Sequence, residues 1–216
     1  AGTSFTIRKF REDPITIVDL VMNETIDETI AAYLWILMEN NISVMIVGPT
    51  GAGKTTALKV LAGELPPNFG ILETQGNWET VLSRYRGTLL YEHFQRLSSK
   101  KLKVVSKPQH IDKMGAFLEG KVGQLLKKAD ERGKLTGLVR ELDLKPVLAR
   151  EAKVLSGGEM QRVAITAAIS RQADVYIFDE PSSHLDIYQR LRAARAIRQL
   201  VEDGKSVLVA EHDLAM

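Results

Sequence analysis

Two patterns of hydrophobic residues alternate along the chain: continuous apolar runs, which predict buried strands, and apolar residues at helical spacing, which predict helices. Runs rich in β-branched residues have the composition of strands that are buried on both faces. Four segments fit this description: ISVMIVG, KLKVVSK, ADVYIFDE and KSVLVAEHD. The segments EMQRVAITAAIS and DIYQRLRAARAIRQLVEDG instead repeat apolar residues at helical spacing. Because strands that alternate with helices form parallel sheets, we expect an α/β fold with a mainly parallel sheet flanked by helices.

The beginning and the middle of the chain depart from this alternation. The segment SFTIRKF alternates as a half-buried strand would, and TIDETIAAYLWILMENN has the apolar spacing of a helix. Residues 73–150 carry more charge and less strand character. We therefore expect a mainly helical subdomain at the edge of the sheet, spanning about residues 73–170.

Composition is typical of a globular protein and excludes several kinds of site. Of the 216 residues, 44% are hydrophobic and 26% are charged, and 29 basic side chains against 27 acidic ones leave a net charge of +2. This balance alone does not predict nucleic-acid binding. There is no cysteine, so neither disulfides nor thiolate metal sites can form. Because no apolar run approaches the roughly 20 residues that span a bilayer, we expect a cytoplasmic protein without a membrane partner.

The segment VGPTGAGKTT carries the phosphate-binding pattern G-x-x-x-x-G-K-[ST] between a predicted strand and a predicted helix. Its glycines let successive backbone N–H groups face a phosphate, and the helix N-terminus adds a partial positive charge. We expect Lys54 to bridge the β- and γ-phosphates of a nucleotide, Thr55 to ligate Mg²⁺ and Thr56 to reach the α-phosphate. The whole cradle comprises Gly48, Gly51, Gly53, Lys54, Thr55 and Thr56. The alternative is a glycine-rich turn without a ligand.

Two adjacent carboxylates end the predicted strand ADVYIFDE. Because neighbouring residues of a strand point to opposite sides, Asp179 can hold Mg²⁺ while Glu180 faces an attacking water as its general base. A base that also bound the metal would lose basicity, so a metal-bound nucleotide needs both carboxylates. The alternative is a turn at the end of a strand.

The segment LSGGEMQR places two glycines, Gly157 and Gly158, before a predicted helix, with Ser156 at its N-cap. The serine hydroxyl and the backbone N–H groups of the glycines form a second anion site. Because the first motif already holds the phosphates of its own nucleotide, this second site is expected to bind a γ-phosphate presented by another molecule or domain. The alternative is a capped helix start without a ligand.

Two further polar side chains follow predicted strands. Gln109 comes after KLKVVSK, where its amide can reach Mg²⁺ and the water, and His212 comes after KSVLVAE, where its imidazole can bond the γ-phosphate. A single histidine is more often structural, and only the neighbouring motifs favour a role for His212. His184 lies just beyond Glu180, near any seam between two copies.

The motifs GAGKTT, KPQ, LSGGE, YIFDEP, SSHLD and EHD occur in the order found in ABC-type ATPases, which this chain resembles. Connecting segments such as VVSKPQHIDKM and VGQLLKKADERG resemble the first nucleotide-binding domain of the archaeal ribosome-recycling ABC ATPases, also called RNase L inhibitors. The likeness covers about residues 54–216 and implies binding of ATP and Mg²⁺. It implies roles in the nucleotide site for Lys54, Thr55, Gln109, Ser156, Gly158, Asp179, Glu180, Asp186 and His212.

Residues 4–53 differ from that family and instead resemble the start of the catalytic core of archaeal type II and type IV secretion ATPases, which are hexameric motors. The junction falls at the phosphate-binding motif, which both families share. We therefore predict a chimera, with a secretion-ATPase-like segment over residues 1–53 and an ABC-type domain over residues 54–216 that is truncated at its C-terminal end.

The leading hypothesis is an ABC-type domain that hydrolyses ATP to ADP and phosphate with Mg²⁺ and needs a partner, either a second copy in a homodimer or a second nucleotide-binding domain. Two alternatives stay open: a fragment of a secretion-type hexameric motor, and a non-catalytic P-loop scaffold. The resemblance also implies a role in ribosome recycling, in which a group of basic residues would contact ribosomal RNA. The alternative is that these residues only form a solvated surface. These residues are Lys100, Lys101, Lys103, Lys107, Lys127 and Lys128.

Overall fold

The computed structural model describes residues 44–47, 54–66, 76–87, 89–99, 102–109, 111 and 118–211 of the chain. Several predictions made from the sequence lie outside these ranges. They concern the N-terminal strand and helix, and the residues Gly48, Gly51, Gly53, Lys100, Lys101 and His212.

Four parallel strands form one sheet in the described part of the chain, in the order β1-β4-β3-β2. Each strand lies within one of the four runs that the sequence predicts as buried strands, and the predicted fold class is confirmed. The two central strands, β3 and β4, are buried at every position. The strand bounds are β1 Val44–Val47, β2 Val104–Lys107, β3 Val175–Asp179 and β4 Ser206–Glu211.

Seven α-helices accompany the sheet among the described residues. Gly63 and Gly204, both at positive φ, follow the first and the last of these helices, as C-terminal glycines of helices commonly do. The helix bounds are α1 Lys54–Leu61, α2 Trp78–Arg84, α3 Leu89–Ser98, α4 Val122–Ala129, α5 Leu135–Glu141, α6 Gly157–Ser170 and α7 Ile187–Glu202. Two short 3₁₀ turns, Lys145–Val147 and Ala152–Val154, lie between α5 and α6.

The two faces of the sheet contact separate hydrophobic cores. Along β3, Tyr176 and Phe178 belong to one core and Val175 and Ile177 to the other, because successive side chains of a strand alternate between faces. The first core includes residues of α4, α5, α6 and α7, and the second includes residues of α1, α2 and α3. The sheet is therefore held between two helical layers, which fix the positions of its strand ends.

The region predicted as mainly helical contains α2, α3, α4, α5 and α6. The strand β2 falls within the same range, but it pairs with β3 and is part of the sheet. None of the helices among the described residues is both long enough and apolar enough to cross a membrane.

Candidate functional site

The carboxyl ends of the parallel strands meet at one edge of the sheet, and predicted site residues follow them there. Helix α1 begins at Lys54 after β1, Gln109 follows β2, and β3 ends at Asp179, directly before Glu180. The topology therefore brings to one edge three motifs that are far apart in the sequence.

Thr55 and Asp179 contact each other at this edge, where the Thr55 side chain makes a hydrogen bond with the Asp179 carboxylate. Asp179 is only 4% exposed. Burial is the main cause that raises the pKa of its carboxyl group, and the hydrogen bond with Thr55 opposes this rise. The buried Lys54 also opposes it through its charge. These contacts place two of the three predicted Mg²⁺ ligands, Thr55 and Asp179, together, and Thr56 lies half-buried beside them in α1.

The Asp179 carboxylate has a free ligand position. Its Oδ1 atom is buried and has no hydrogen-bond partner within the described residues. A buried carboxylate oxygen without a partner is costly unless another group completes it. Mg²⁺ prefers oxygen ligands and is usually held by one or two carboxylates together with substrate phosphates. Asp179 and Thr55 therefore fit a Mg²⁺ site.

Glu180 lies directly after β3 with its backbone in the left-handed region, at φ 48°. Its carboxylate Oε1 accepts a hydrogen bond from Gln109 Nε2 at 2.6 Å. The sequence placed both residues in the catalytic group, and the structure brings them into contact. The backbone N–H of Glu180 donates to Ala210 O at 2.8 Å, which ties the residue to the end of β4.

Lys107 is a site residue that the sequence did not predict. It was grouped with basic residues on a surface that could meet RNA, but it is 1% exposed and its Nζ donates to Asp179 O at 2.7 Å. Burial lowers the pKa of Lys107 to about 8, although the carboxylates of Asp179, Glu211 and Glu180 act in the opposite direction. The available signal was its place in KPQ, two residues before Gln109 at the end of a strand.

Ser156 is the N-cap of α6, as predicted. Its Oγ accepts from the backbone N–H of Glu159 at 3.3 Å, and its own N–H donates to Glu159 Oε2 at 2.8 Å, which completes a capping box. The second bond is the main cause that lowers the pKa of Glu159, and Arg150 adds an ion pair at 2.7 Å. The cap fixes the start of the helix that carries the predicted second anion site.

The glycines after Ser156 pack against the segment that follows Glu180. A Cβ atom at Gly158 would lie 2.8 Å from the backbone oxygen of His184. In the next turn of α6, the fully buried Gln161 donates through Nε2 to Glu180 O at 2.7 Å. The helix that begins at the second anion site is therefore bonded directly to the predicted base.

The loop after Glu180 is held at two further points. Glu211, which is 2% exposed, accepts hydrogen bonds from Ser182 N at 2.8 Å and from Ser182 Oγ at 2.9 Å. Asp186, which the resemblance assigned to the nucleotide site, is exposed and accepts from Gln189 N at 2.9 Å as the N-cap of α7. Sequence reasoning missed Ser182 and Glu211, because a buried serine–carboxylate pair has no local pattern.

A cleft of about 460 Å³ lies between α5 and α7, away from the strand ends. It is bordered by Leu138 and Leu200 and by charged residues that include Arg132 and Asp203. None of the predicted site residues lines this cleft. The side chains suited to binding phosphate and Mg²⁺ lie at the strand ends instead.

The ABC transporter family matches residues 37–183 of the chain. The Arabidopsis thaliana protein described as ABC transporter E family member 1 is 47% identical over 171 residues, which cover 79% of this chain and 28% of that protein. Translation initiation factor RLI1 of Saccharomyces cerevisiae is 42% identical over 176 residues, covering 79% of this chain and 29% of that protein.

Solved structures agree with these matches. An archaeal ribosome recycling factor, solved in complex with an archaeal ribosomal stalk protein, superposes with a TM-score of 0.75 at 54% identity. That superposition covers 81% of this chain and 34% of the recycling factor. The chain thus spans only about a third or less of the length of these relatives.

The comparisons agree with the ABC part of the resemblance read from the sequence. They give no support to a secretion-ATPase origin for residues 4–53 or to a chimera. The division of the chain at residue 53 stays a prediction.

Proposed function

Because the chain belongs to the ABC transporter family, we propose that its strand-end site hydrolyses ATP with Mg²⁺ once a second nucleotide-binding domain completes it. The chain holds an ATP-binding ABC-type ATPase domain related to ribosome recycling factors. The observation that carries the proposal is the contact of Thr55 with Asp179 beside the contact of Gln109 with Glu180. This arrangement separates a metal-binding carboxylate from a carboxylate that is available as a base.

In the proposed site, Lys54 and the backbone N–H groups of the glycine-rich loop hold the phosphates, and Thr55 and Asp179 hold Mg²⁺. The metal ion, when bound, neutralises charge that develops on the β- and γ-phosphates. Glu180 takes a proton from water as the water oxygen bonds to the γ-phosphorus and the bond from that phosphorus to the bridging oxygen breaks. Gln109 orients the Glu180 carboxylate, and we keep His212 as the proposed donor to the γ-phosphate.

The proposed contact with a partner domain lies at the N-terminus of α6. Ser156, Gly157 and Gly158 lie at the start of this 14-residue helix, where donors and the helix dipole favour an anion. Since Lys54 serves the nucleotide of its own domain, we propose that these three residues serve the γ-phosphate of a partner arranged head to tail. The partner is either a second copy of this chain or a second nucleotide-binding domain, and Asp186 would lie beside that seam.

The relatives named as ribosome recycling and translation factors suggest the cellular process in which this activity takes part. We propose that the domain acts in the cytoplasm on ribosomes as part of such a factor. Exposed lysines, namely Lys103, Lys127 and Lys128, are available to contact ribosomal RNA phosphates.

ATP turnover measured against protein concentration tests the proposal. If two copies complete one site, specific activity rises with concentration and then saturates, and Glu180→Gln lowers turnover to a small residual rate but retains nucleotide binding. Turnover that is independent of concentration and stays at the wild-type rate in Glu180→Gln would contradict the mechanism. Calorimetry that detects ATP binding without phosphate release at any concentration, also after addition of a separate nucleotide-binding domain, would instead indicate a non-catalytic scaffold.

A further inference from the structure

Lys107 fills a structural need that arises where β2 ends. The ladder of β2 with β3 ends at the pair of Lys107 with Phe178, one residue before Asp179. The carbonyl groups of Asp179 and Glu180 lie beyond this point, and buried carbonyl groups need donors. The Lys107 ammonium donates to both: Nζ lies 2.7 Å from Asp179 O and 3.3 Å from Glu180 O, and the second oxygen also accepts from Gln161 Nε2.

The backbone at Glu180 is the part of the site that most needs such support. A residue with a side chain rarely adopts a φ of 48°, and it keeps this conformation only when its surroundings hold it there. Three elements do so: β4 through Ala210 O, α6 through Gln161 Nε2, and β2 through Lys107 Nζ. The direction of the Glu180 carboxylate follows from this backbone conformation.

The placement of Lys107 also argues against a direct contact with phosphate. Its side chain is 1% exposed, and its hydrogen bonds within the described residues go to backbone carbonyl oxygens. A cation buried to this degree is costly unless it is compensated, and the carboxylates of Asp179, Glu180 and Glu211 lie close enough to do so. Such an arrangement suits a group that holds the backbone.

We propose that Lys107 is a positioning residue for ATP hydrolysis: by binding two successive carbonyl groups, it holds Glu180 in the orientation in which its carboxylate takes the proton from water. This inference rests on the proposed function, in which Glu180 is the base. Lys107 acts through Glu180 and does not contact the reacting atoms.

Lys107→Met removes the donors at similar side-chain length, and Lys107→Arg retains them. At a protein concentration that saturates turnover, Lys107→Met is expected to lower kcat by roughly 10- to 100-fold, because small displacements of a catalytic group have effects of this size. The Kd for ATP stays within about twofold of wild type, since binding does not need the base. Lys107→Arg recovers part of the lost kcat. Lys145→Met, at an exposed lysine in the first 3₁₀ turn, is the matched control and keeps wild-type kcat.

A double-mutant cycle with Glu180→Gln separates positioning from a general structural role. Adding Lys107→Met to Glu180→Gln is expected to lower the residual turnover no further. An equal loss of kcat on both backgrounds, or wild-type kcat in Lys107→Met alone, overturns the inference and leaves the proposed function intact. A wild-type protein with no turnover at any concentration, also after addition of a separate nucleotide-binding domain, overturns both. If circular dichroism shows that Lys107→Met does not fold, Lys107→Gln, whose side chain is too short to bind both carbonyl groups, carries the same cycle and the same criteria.

Discussion

The backbone oxygen of His184 lies 2.8 Å from the position that a Cβ atom at Gly158 would occupy. A Cβ atom at Gly157 would meet Cγ of the same histidine at 3.3 Å. His184 itself has a positive φ of 62°, which turns the segment after Glu180 tightly against the start of α6. Gly158 is therefore required for close packing between these segments, and a side chain at Gly157 would displace that of His184, in addition to the anion binding that the sequence predicts for both glycines.

Gly158→Ala is expected to destabilise the domain and to lower ATP turnover. The added Cβ atom would lie closer to a backbone atom than real contacts allow. Either α6 or the loop after Glu180 must therefore shift, which lowers the stability of the fold by about 1–3 kcal/mol. Turnover falls because the displaced loop begins at Glu180. Urea unfolding gives the loss of stability, and phosphate release at saturating ATP gives the loss of activity.

Gly137→Ala is the matched control for this substitution. Gly137 lies inside α5, and apart from its own helix backbone and its chain neighbours no heavy atom of the described residues lies within 4 Å of a Cβ added there. Alanine in a helix interior is favoured over glycine by about 0.5–1 kcal/mol, so this variant is expected to be more stable than wild type. Equal stability of the two variants would show that the approach of His184 to Gly158 does not constrain the fold.

Much of the strand-end site could be predicted from the sequence, because its residues follow strands with strong local patterns. ADVYIFDE is a continuous apolar run that ends in two carboxylates, and a parallel sheet brings such ends together. Lys107 could not be placed in this way. Lysine normally lies at the surface, and here its burial depends on carbonyl groups 72 and 73 residues away along the chain.

The segment LSGGE shows a different limit to what the sequence can predict. The Ser-x-x-Glu spacing of a capping box can be read from the sequence, and Ser156 was placed correctly at the N-cap. The approach of His184 to the following glycines could not be inferred, because it depends on where the loop after β3 runs. Local capping is encoded within four residues, whereas the need for glycine comes from tertiary packing.

Glu159→Gln is expected to lower stability at neutral pH and to change its dependence on acid. The hydrogen bond from the Ser156 N–H holds the pKa of Glu159 below its usual value. A lowered pKa in the folded state gives stability that is full above the unfolded pKa and is lost as the pH falls through the folded pKa. We expect a loss of about 0.5–1 kcal/mol at pH 7, as for other charge-assisted capping bonds at an exposed site.

Denaturant midpoints of wild type and Glu159→Gln between pH 7 and pH 3 check this expectation. The difference between the two proteins should shrink as the pH falls, because protonation removes the charge that the substitution also removes. Glu119→Gln is the control, since Glu119 is exposed and the structure gives it no hydrogen bond among the described residues. A difference that stays constant down to pH 3 would mean that the glutamate charge plays no part in the cap.

Asp179→Asn is expected to remove most of the effect of Mg²⁺ on ATP binding. In wild type, Mg²⁺ should strengthen ATP binding through Asp179, whose Oδ1 is buried without a hydrogen-bond partner among the described residues. The amide side chain is a weaker ligand, and we expect the gain from Mg²⁺ to fall by roughly 10- to 100-fold. Titrations with ATP in Mg²⁺ and in a chelator measure this gain, and the two proteins should bind alike once the metal is removed.

The same variant separates a metal ligand from a structural carboxylate. Because burial raises the pKa of Asp179, its ionised form is disfavoured in the metal-free protein, and loss of the charge should not lower the melting temperature without Mg²⁺. Asp174→Asn is the control, since Asp174 precedes β3 at its other end, where its carboxylate accepts from Lys103 N at 2.9 Å. That variant should keep the full effect of Mg²⁺. If Asp179→Asn lowers the melting temperature of the metal-free protein and leaves the Mg²⁺ effect unchanged, Asp179 stabilises the fold and does not bind the metal.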